Sequence, residues 1–229
     1  MGLTIHYALS ARGSSLPQVR TLLRQLRTEA LDLPFQAVGD LVELTGAEAN
    51  FENHRPESGL RWLLIQASQA VEVDQRLDTV QPQQVVAFTT EPGAGSEPAN
   101  FGLALYPAAM NVADSRSGPG RTRRLRTGLA CWSWHSFCKT AYAADPECGG
   151  IENFLRCHIA IVKLLDRAAQ LGFLASVSDE GDFWDQRDCR ALARQAGGPD
   201  ALTAGWIGRL KSAFGEIAEL QRARIPAPR

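Results

Sequence analysis

The sequence predicts an α+β fold built on a mixed or antiparallel sheet. Two observations carry this. The order strand–helix–strand occurs twice, at 3–44 and at 127–178. Each helix then gives way, after a break, to an aromatic-led strand, at Leu33-Pro34-Phe35 and at Leu171-Gly172-Phe173. Two β-α-β-type halves with extra C-terminal helices fit a ferredoxin-like or tandem-duplicated layout.

The first strand, 3–9, alternates Leu3, Ile5, Tyr7 and Leu9 with Thr4, His6 and Ala8, the period-two signature of a half-buried strand. Ser14 and Ser15 are candidate N-caps, and Pro17 suits a first helical turn. The helix over 16–31 has its apolar stripe at Leu16, Val19, Leu22, Leu23, Leu26 and Ala30, and Pro34 stops it. Residues 35–44 read as a strand, 46–58 as a polar loop, 60–73 as a strand or strand pair, and 85–90 and 101–106 as strands. Residues 107–126 read as a long arginine-rich loop between the halves.

In the second half a strand is expected over 127–137 and a helix over 151–171, ended by Gly172 as a C′ glycine. A strand at 173–178, a short helix near 185–196 and a last helix near 200–221 complete the chain, followed by a frayed tail at 222–229. Residues 1–221 thus form one domain, with pseudo-halves 1–106 and 127–221. In this layout the leading strands lie near the sheet centre, placing His6 and His135 on comparable strands.

Composition narrows the function classes. The chain has 229 residues, 45% hydrophobic and 21% charged, as expected of an ordinary globular protein. A net charge of −1 provides no global attraction for nucleic acid or anionic membrane. No apolar run approaches the roughly 18 residues needed to span a bilayer, and the N-terminus lacks a signal-peptide pattern. The five cysteines, Cys131, Cys138, Cys148, Cys157 and Cys189, are odd in number and confined to the second half. That favours reduced thiols and a cytoplasmic setting. Arginine far outnumbers lysine, which occurs only at 139, 163 and 211, a bias of the bacterial type. Walker, dinucleotide-glycine, HExxH, GxSxG and kinase signatures are absent.

The chemistry-bearing residues crowd into 131–188. In strand phase Cys131, Ser133 and His135 share one face, while Trp132 and Trp134 share the other. Cys138 beside Lys139, with His135 or His158 as base, would make a cysteine nucleophile. Cys131, His135 and Cys138 could contribute to a zinc site, although the paired CxxC knuckle is missing. The structural alternative is that these thiols are small buried hydrophobes. His158 falls on the apolar side of its helix, where it is either a core histidine or a base facing the sheet. Asn153 and Arg156 follow Gly149-Gly150 and could hold an anion at a helix start, with Glu152 opposing. Asp179 and Glu180 open an acidic turn able to share a proton or bind a cation. The same turn, with Trp184 as anchor and Arg187 paired locally, could simply cap the next helix.

The best-supported expectation is a small-molecule-binding domain or enzyme. His135, Cys138, Lys139, His158, Asp179 and Glu180 are its catalytic candidates. His6, Trp132, Trp134, Asn153, Arg156, Trp184 and Arg187 are its ligand-binding candidates. Small-molecule or protein partners are favoured over nucleic acid. The alternatives are a nucleotide or single-strand binder using Arg121, Arg123, Arg124 and Arg126 with the tryptophan face, and an assembly subunit without catalysis. The first half reads mainly as scaffold.

Overall fold

A computed structural model describes residues 3–73, 76–113, 121–129, 131–197, 208, 210 and 214. It shows an α+β chain whose main sheet is antiparallel and has seven strands. In chain order the elements are β1 (Thr4–Ala11), α1 (Leu16–Leu31), β2 (Ala37–Val38), β3 (Val42–Thr45), α2 (Gly59–Ala67), β4 (Gln69–Val73), β5 (Arg76–Val80), β6 (Gln84–Glu91) and β7 (Ala99–Leu105). There follow β8 (Ala109–Ala113), β9 (Thr122–Arg126), β10 (Trp132–Lys139), α3 (Gly150–Gln170), β11 (Leu174–Asp179), α4 (Phe183–Gln186) and α5 (Cys189–Gln195). The sheet runs β11-β1-β10-β7-β6-β2, with β3 also on β6. β4–β5 and β8–β9 are separate two-stranded hairpins.

Helix α1 keeps the predicted bounds. Gln18 accepts a hydrogen bond from the Ser15 backbone N–H at 2.8 Å, as in a capping box. Its stripe of Val19, Leu23, Leu26 and Ala30 is fully buried. α1 packs on α3 and on β6 and β7. α3 buries most of its length, because Phe154, Leu155, His158, Ile161, Val162 and Leu165 recur at helical spacing. One apolar core joins both halves, from Leu3 to Leu210.

Several elements differ from the sequence reading. Residues 60–73 begin as helix α2 rather than a strand. Leu60, Leu63, Leu64 and Ala67 recur at i, i+3, i+4 and i+7, a helical period hidden in a dense apolar run. Residues 46–53 hold two short 3₁₀ turns in place of open loop. The strand expected over 35–44 is divided at Gly39, whose backbone N–H donates to Thr89 O at 2.8 Å. The arginine-rich loop contains the β8–β9 hairpin. Arginines on both faces of β9, Arg123 on one and Arg124 and Arg126 on the other, mask the period that alternating apolar residues would display. The last helix lies mostly outside the described residues, although 208, 210 and 214 are helical. The tail 222–229 and Arg116 lie outside them too.

β1 sits between β10 and β11. Ile5, Tyr7, Leu9 and Ala11 oppose Cys138, Ser136, Trp134 and Trp132, and all eight are buried. The other face of the same rungs carries His6 opposite Phe137 and Ala8 opposite His135. His6, His135 and Phe137 are exposed.

β10 and β7 part company. Their register holds at Ser133–Ala104, and Glu97 N–H donates to Lys139 O at 2.9 Å at the far end. Between these points side chains replace the backbone ladder. The Asn100 carbonyl accepts from the Tyr7 hydroxyl at 2.8 Å and from the Trp134 indole N–H at 2.9 Å. The Gln66 side-chain oxygen accepts from Asn100 Nδ2 at 2.7 Å and from Ser136 Oγ at 3.0 Å. Thr89 Oγ1 donates to Asn100 Oδ1 at 2.7 Å. Each polar group in the gap thereby finds a partner, as burial demands.

Candidate functional site

The open face of β11, β1 and β10 forms a groove of about 350 Å³. Two rungs build it. Ser178, His6 and Phe137 stand in one row, and Ser176, Ala8 and His135 in the next. Ala8, small and nearly buried, leaves a depression between the larger side chains. His6 and His135 are diagonal neighbours across an antiparallel pair, a relationship that sets Cα atoms about 7–8 Å apart. His6 and Phe137 hold their ring centroids 5.8 Å apart at 36°. Gln66 and Ser136 form part of the lining, so the network in the β7–β10 gap supports the groove from below. Gln69 Nε2 lies 3.5 Å from His135 Nδ1.

The sequence candidates separate into distinct places. His6 and His135 meet in the groove. Lys139 occupies the same strand face as Phe137 and His135, opposite Thr4 at the end of β10.

His158 and Asp179 meet elsewhere, in the core. His158 Nε2 is 3.1 Å from Asp179 Oδ2, and His158 Nδ1 is 2.9 Å from Thr140 Oγ1. Hydroxyl, imidazole and carboxylate follow the order of a nucleophile–base–orienter set. However, Thr140 and His158 have zero exposure, and Thr140 Oγ1 is also bonded to Leu3 O. In this arrangement the relay pins α3 to the ends of β10 and β11. Burial alone would raise the Asp179 carboxyl. Hydrogen bonds from His158 and from the Trp184 and Gly181 backbone N–H groups outweigh it and hold the group below the usual carboxylate range. Glu180 Oε2 accepts from Thr4 N–H at 3.0 Å, so this acid ties the turn to β1.

Cys138 lies in the core, where it donates to Glu97 O at 3.0 Å and contacts Ser96 Oγ at 3.5 Å. Burial pushes its thiol up to about 12, which opposes thiolate formation. His135 and Cys138 stand on opposite strand faces, as their odd spacing requires. Among the described residues no three His, Cys, Asp or Glu side chains gather around one metal position.

Asn153 and Arg156 are engaged with the chain itself. Arg156 donates to Pro92 O at 2.9 Å and to Asn153 Oδ1 at 2.6 Å, and Asn153 Nδ2 donates to Ala94 O at 2.8 Å. Together they lock the 91–98 turn onto α3. Arg187 donates locally from Nε to Trp184 O at 2.8 Å, but its ion pair is not local. It forms a two-pronged ion pair with Asp166 of α3, both contacts at 2.7 Å, and its guanidinium lies 4.8 Å from the Trp184 ring. Asp182 occupies the N-cap position of α4 without a side-chain bond, whereas Asp188 caps α5.

Trp132 and Trp134 are 4% and 0% exposed, so they belong to the core and present no stacking surface. Arg121, Arg123, Arg124 and Arg126 lie on or beside β9. Arg124 and Arg126, with Ala108, Ala109 and Gly128, line a second concavity of about 660 Å³.

Sequence reasoning missed Ser176, Ser178, Phe137 and Gln66 as groove residues. The phase of 173–178 already set Ser176 and Ser178 on one face. Phe137 shares phase with His135, a visible but unused signal. Gln66 was hidden by the assignment of 60–73 to strand.

Comparisons with protein-family models, with curated proteins and with solved structures return no match for this chain. No helix among the described residues is long and apolar enough to cross a membrane.

Proposed function

We propose that the chain is a ligand-binding domain equipped for acid–base chemistry, with the β11–β1–β10 groove as its working surface. The observation that carries this reading is the convergence of His6 and His135, distant in sequence, on one depression. Imidazole is the side chain best suited to exchange protons near neutral pH. Ser176 and Ser178 add hydroxyl donors and acceptors along one wall, and Phe137 adds an apolar surface. A concave site with few polar groups and an aromatic wall suits a small molecule. Lys139 is the nearest cationic candidate by strand phase. A zinc cofactor finds no support in this groove, where no third ligand of the usual kind joins the two imidazoles among the described residues.

β10 and β11 are both antiparallel to β1, which lies between them, and α3 connects them. That path supports a split β-α-β unit of the ferredoxin-like kind, with the first half widened by inserted strands. Residues 1–221 are then one domain.

The test is NMR of the imidazole C–H resonances during titration with inorganic phosphate, simple carboxylates and mononucleotides. At least one ligand should shift both His6 and His135, and His6→Ala with His135→Ala should abolish its binding. Ligands that bind but leave both imidazoles unmoved would sink the proposal.

A further inference from the structure

We infer that the partner of this groove is a single-stranded nucleic acid, with bases on the His6–Phe137 face and phosphates on the β8–β9 hairpin. The inference rests on the groove being the working surface and names the chemistry that fills it.

The first observation is aromatic. Phe137 is 40% exposed on an inner strand, on the face that the antiparallel sheet leaves open. The His6 ring lies beside it on the adjacent inner strand. Two flat rings on the inner strands of an open sheet form a stacking platform for unpaired bases. Ser176, Ser178 and His135 line the same depression and can meet base edges.

The second observation is electrostatic and independent. Residues 121–129 contain four arginines and no acid. Thr122, Arg124 and Arg126 share one face of β9, and both of these arginines are exposed. Neither has a carboxylate partner among the described residues. Two unpaired guanidinium groups two residues apart along a strand stand roughly 7 Å apart, an arrangement suited to a repeating anion rather than to one isolated charge.

The third observation is placement. Ala104 near the end of β7 pairs with Ser133 near the start of β10, so the hairpin between them leaves the sheet at that end. β1 ends there as well, with Ala11 opposite Trp132 and exposed Arg12 following. Along β1 the rung of His6 lies four residues, roughly 13 Å, from the rung of Ser10 and Ser133. A strand laid on the aromatic face would therefore reach the end of the sheet from which the arginine-bearing hairpin departs within about two or three nucleotides.

Fluorescence anisotropy with labelled oligouridylate and oligothymidylate of about ten nucleotides tests this, from about 50 to 200 mM salt. Both oligomers should bind if stacking and phosphate contacts dominate, and a preference for RNA would implicate the 2′-hydroxyl. Phe137→Ala should weaken binding about tenfold or more. Arg124→Ala with Arg126→Ala should reduce the log–log salt slope by about 1.4, or about 0.7 per lost phosphate contact. All three positions are exposed, so the variants should fold, and circular dichroism checks this. Absence of binding at the lowest salt overturns the inference. So does binding that ignores Phe137→Ala and is displaced equally by polyglutamate, which would indicate plain polyanion attraction. If mononucleotides or phosphate still shift His6 and His135 while the oligomers fail to bind, the inference falls and the groove stands as a small-molecule site.

Discussion

Nε2 of His158 lies 3.1 Å from Oδ2 of Asp179, and neither side chain is more than 1% exposed. Asp179 also accepts from the backbone N–H groups of Gly181 and Trp184 at 2.8 and 2.9 Å. One carboxylate thus organises a helix, a strand end and a turn. Asp179→Ala orphans three donors, each costing about 1–3 kcal/mol, so a loss of roughly 3 kcal/mol or more is expected in urea melts. The pH dependence has a definite sign. The folded carboxyl is held below its ordinary value of 3.8. Its stabilising contribution is therefore complete above that value and fades as pH falls through it. The stability gap between wild type and Asp179→Asn should narrow below about pH 4.

Tyr7 and Trp134 donate to the same carbonyl, that of Asn100. Tyr7→Phe removes one of two donors and leaves no orphaned acceptor. The expected cost is about 1 kcal/mol or less. Trp134→Ala removes the second donor and opens a cavity in the core, for about 3–5 kcal/mol. Chemical denaturation of both variants checks the ranking, and equal losses would contradict it.

The thiols should react in a set order. Burial raises Cys138 to about 12 and both Cys157 and Cys189 to about 11. At about pH 8 these three are almost wholly protonated and slow to alkylate. Cys189 is half-buried like Cys131 and Cys148, but the neighbouring Asp188 carboxylate adds to the rise of its thiol, which leaves Cys131 and Cys148 as the readier pair. Mass spectrometry after brief iodoacetamide treatment should find label first on that pair. Early modification of Cys138 would revive a nucleophilic role for it.

Gly95 has φ +74°, and a Cβ there would lie 2.6 Å from Tyr142 O. Both backbone conformation and space demand glycine. Gly95→Ala should cost about 1–3 kcal/mol by thermal melting, with the loss centred on the 91–98 turn. Gly46→Ala is a useful control. Its φ of +56° is comparable, but nothing lies within 4 Å of the added carbon, so only the conformational part of the cost remains.

Much of the frame was legible because its periods are clean. Leu23 and Leu26 mark α1, Leu164 and Leu165 mark α3, and the alternation of Ile5, Tyr7 and Leu9 assigned the buried face of β1 correctly. Trp132 and Trp134 were rightly set opposite His135, yet strand phase alone does not say which face meets solvent. The helical stripe of α2 is embedded in nearly continuous apolar residues, which hides its period. The groove was only partly legible. His6 and His135 were singled out, but Ser176 and Ser178 gain meaning only once β11 is known to pair with β1. The substitution of side-chain bonds for backbone bonds between β7 and β10 is a tertiary event. No local pattern around Asn100 or Gln66 announces it.

The position of β1 has a consequence for the order of synthesis. This strand is made well before both of its partners, residues 132–139 and 174–179. Until most of the chain has left the ribosome, Ile5, Tyr7 and Leu9 have no sheet to join. α1 can form early from local contacts, whereas closing the sheet centre requires very distant segments to meet. At about 5–20 residues per second, β1 remains an unpaired apolar strand for on the order of ten seconds. During that interval its apolar face and unpaired backbone are open to wrong pairing.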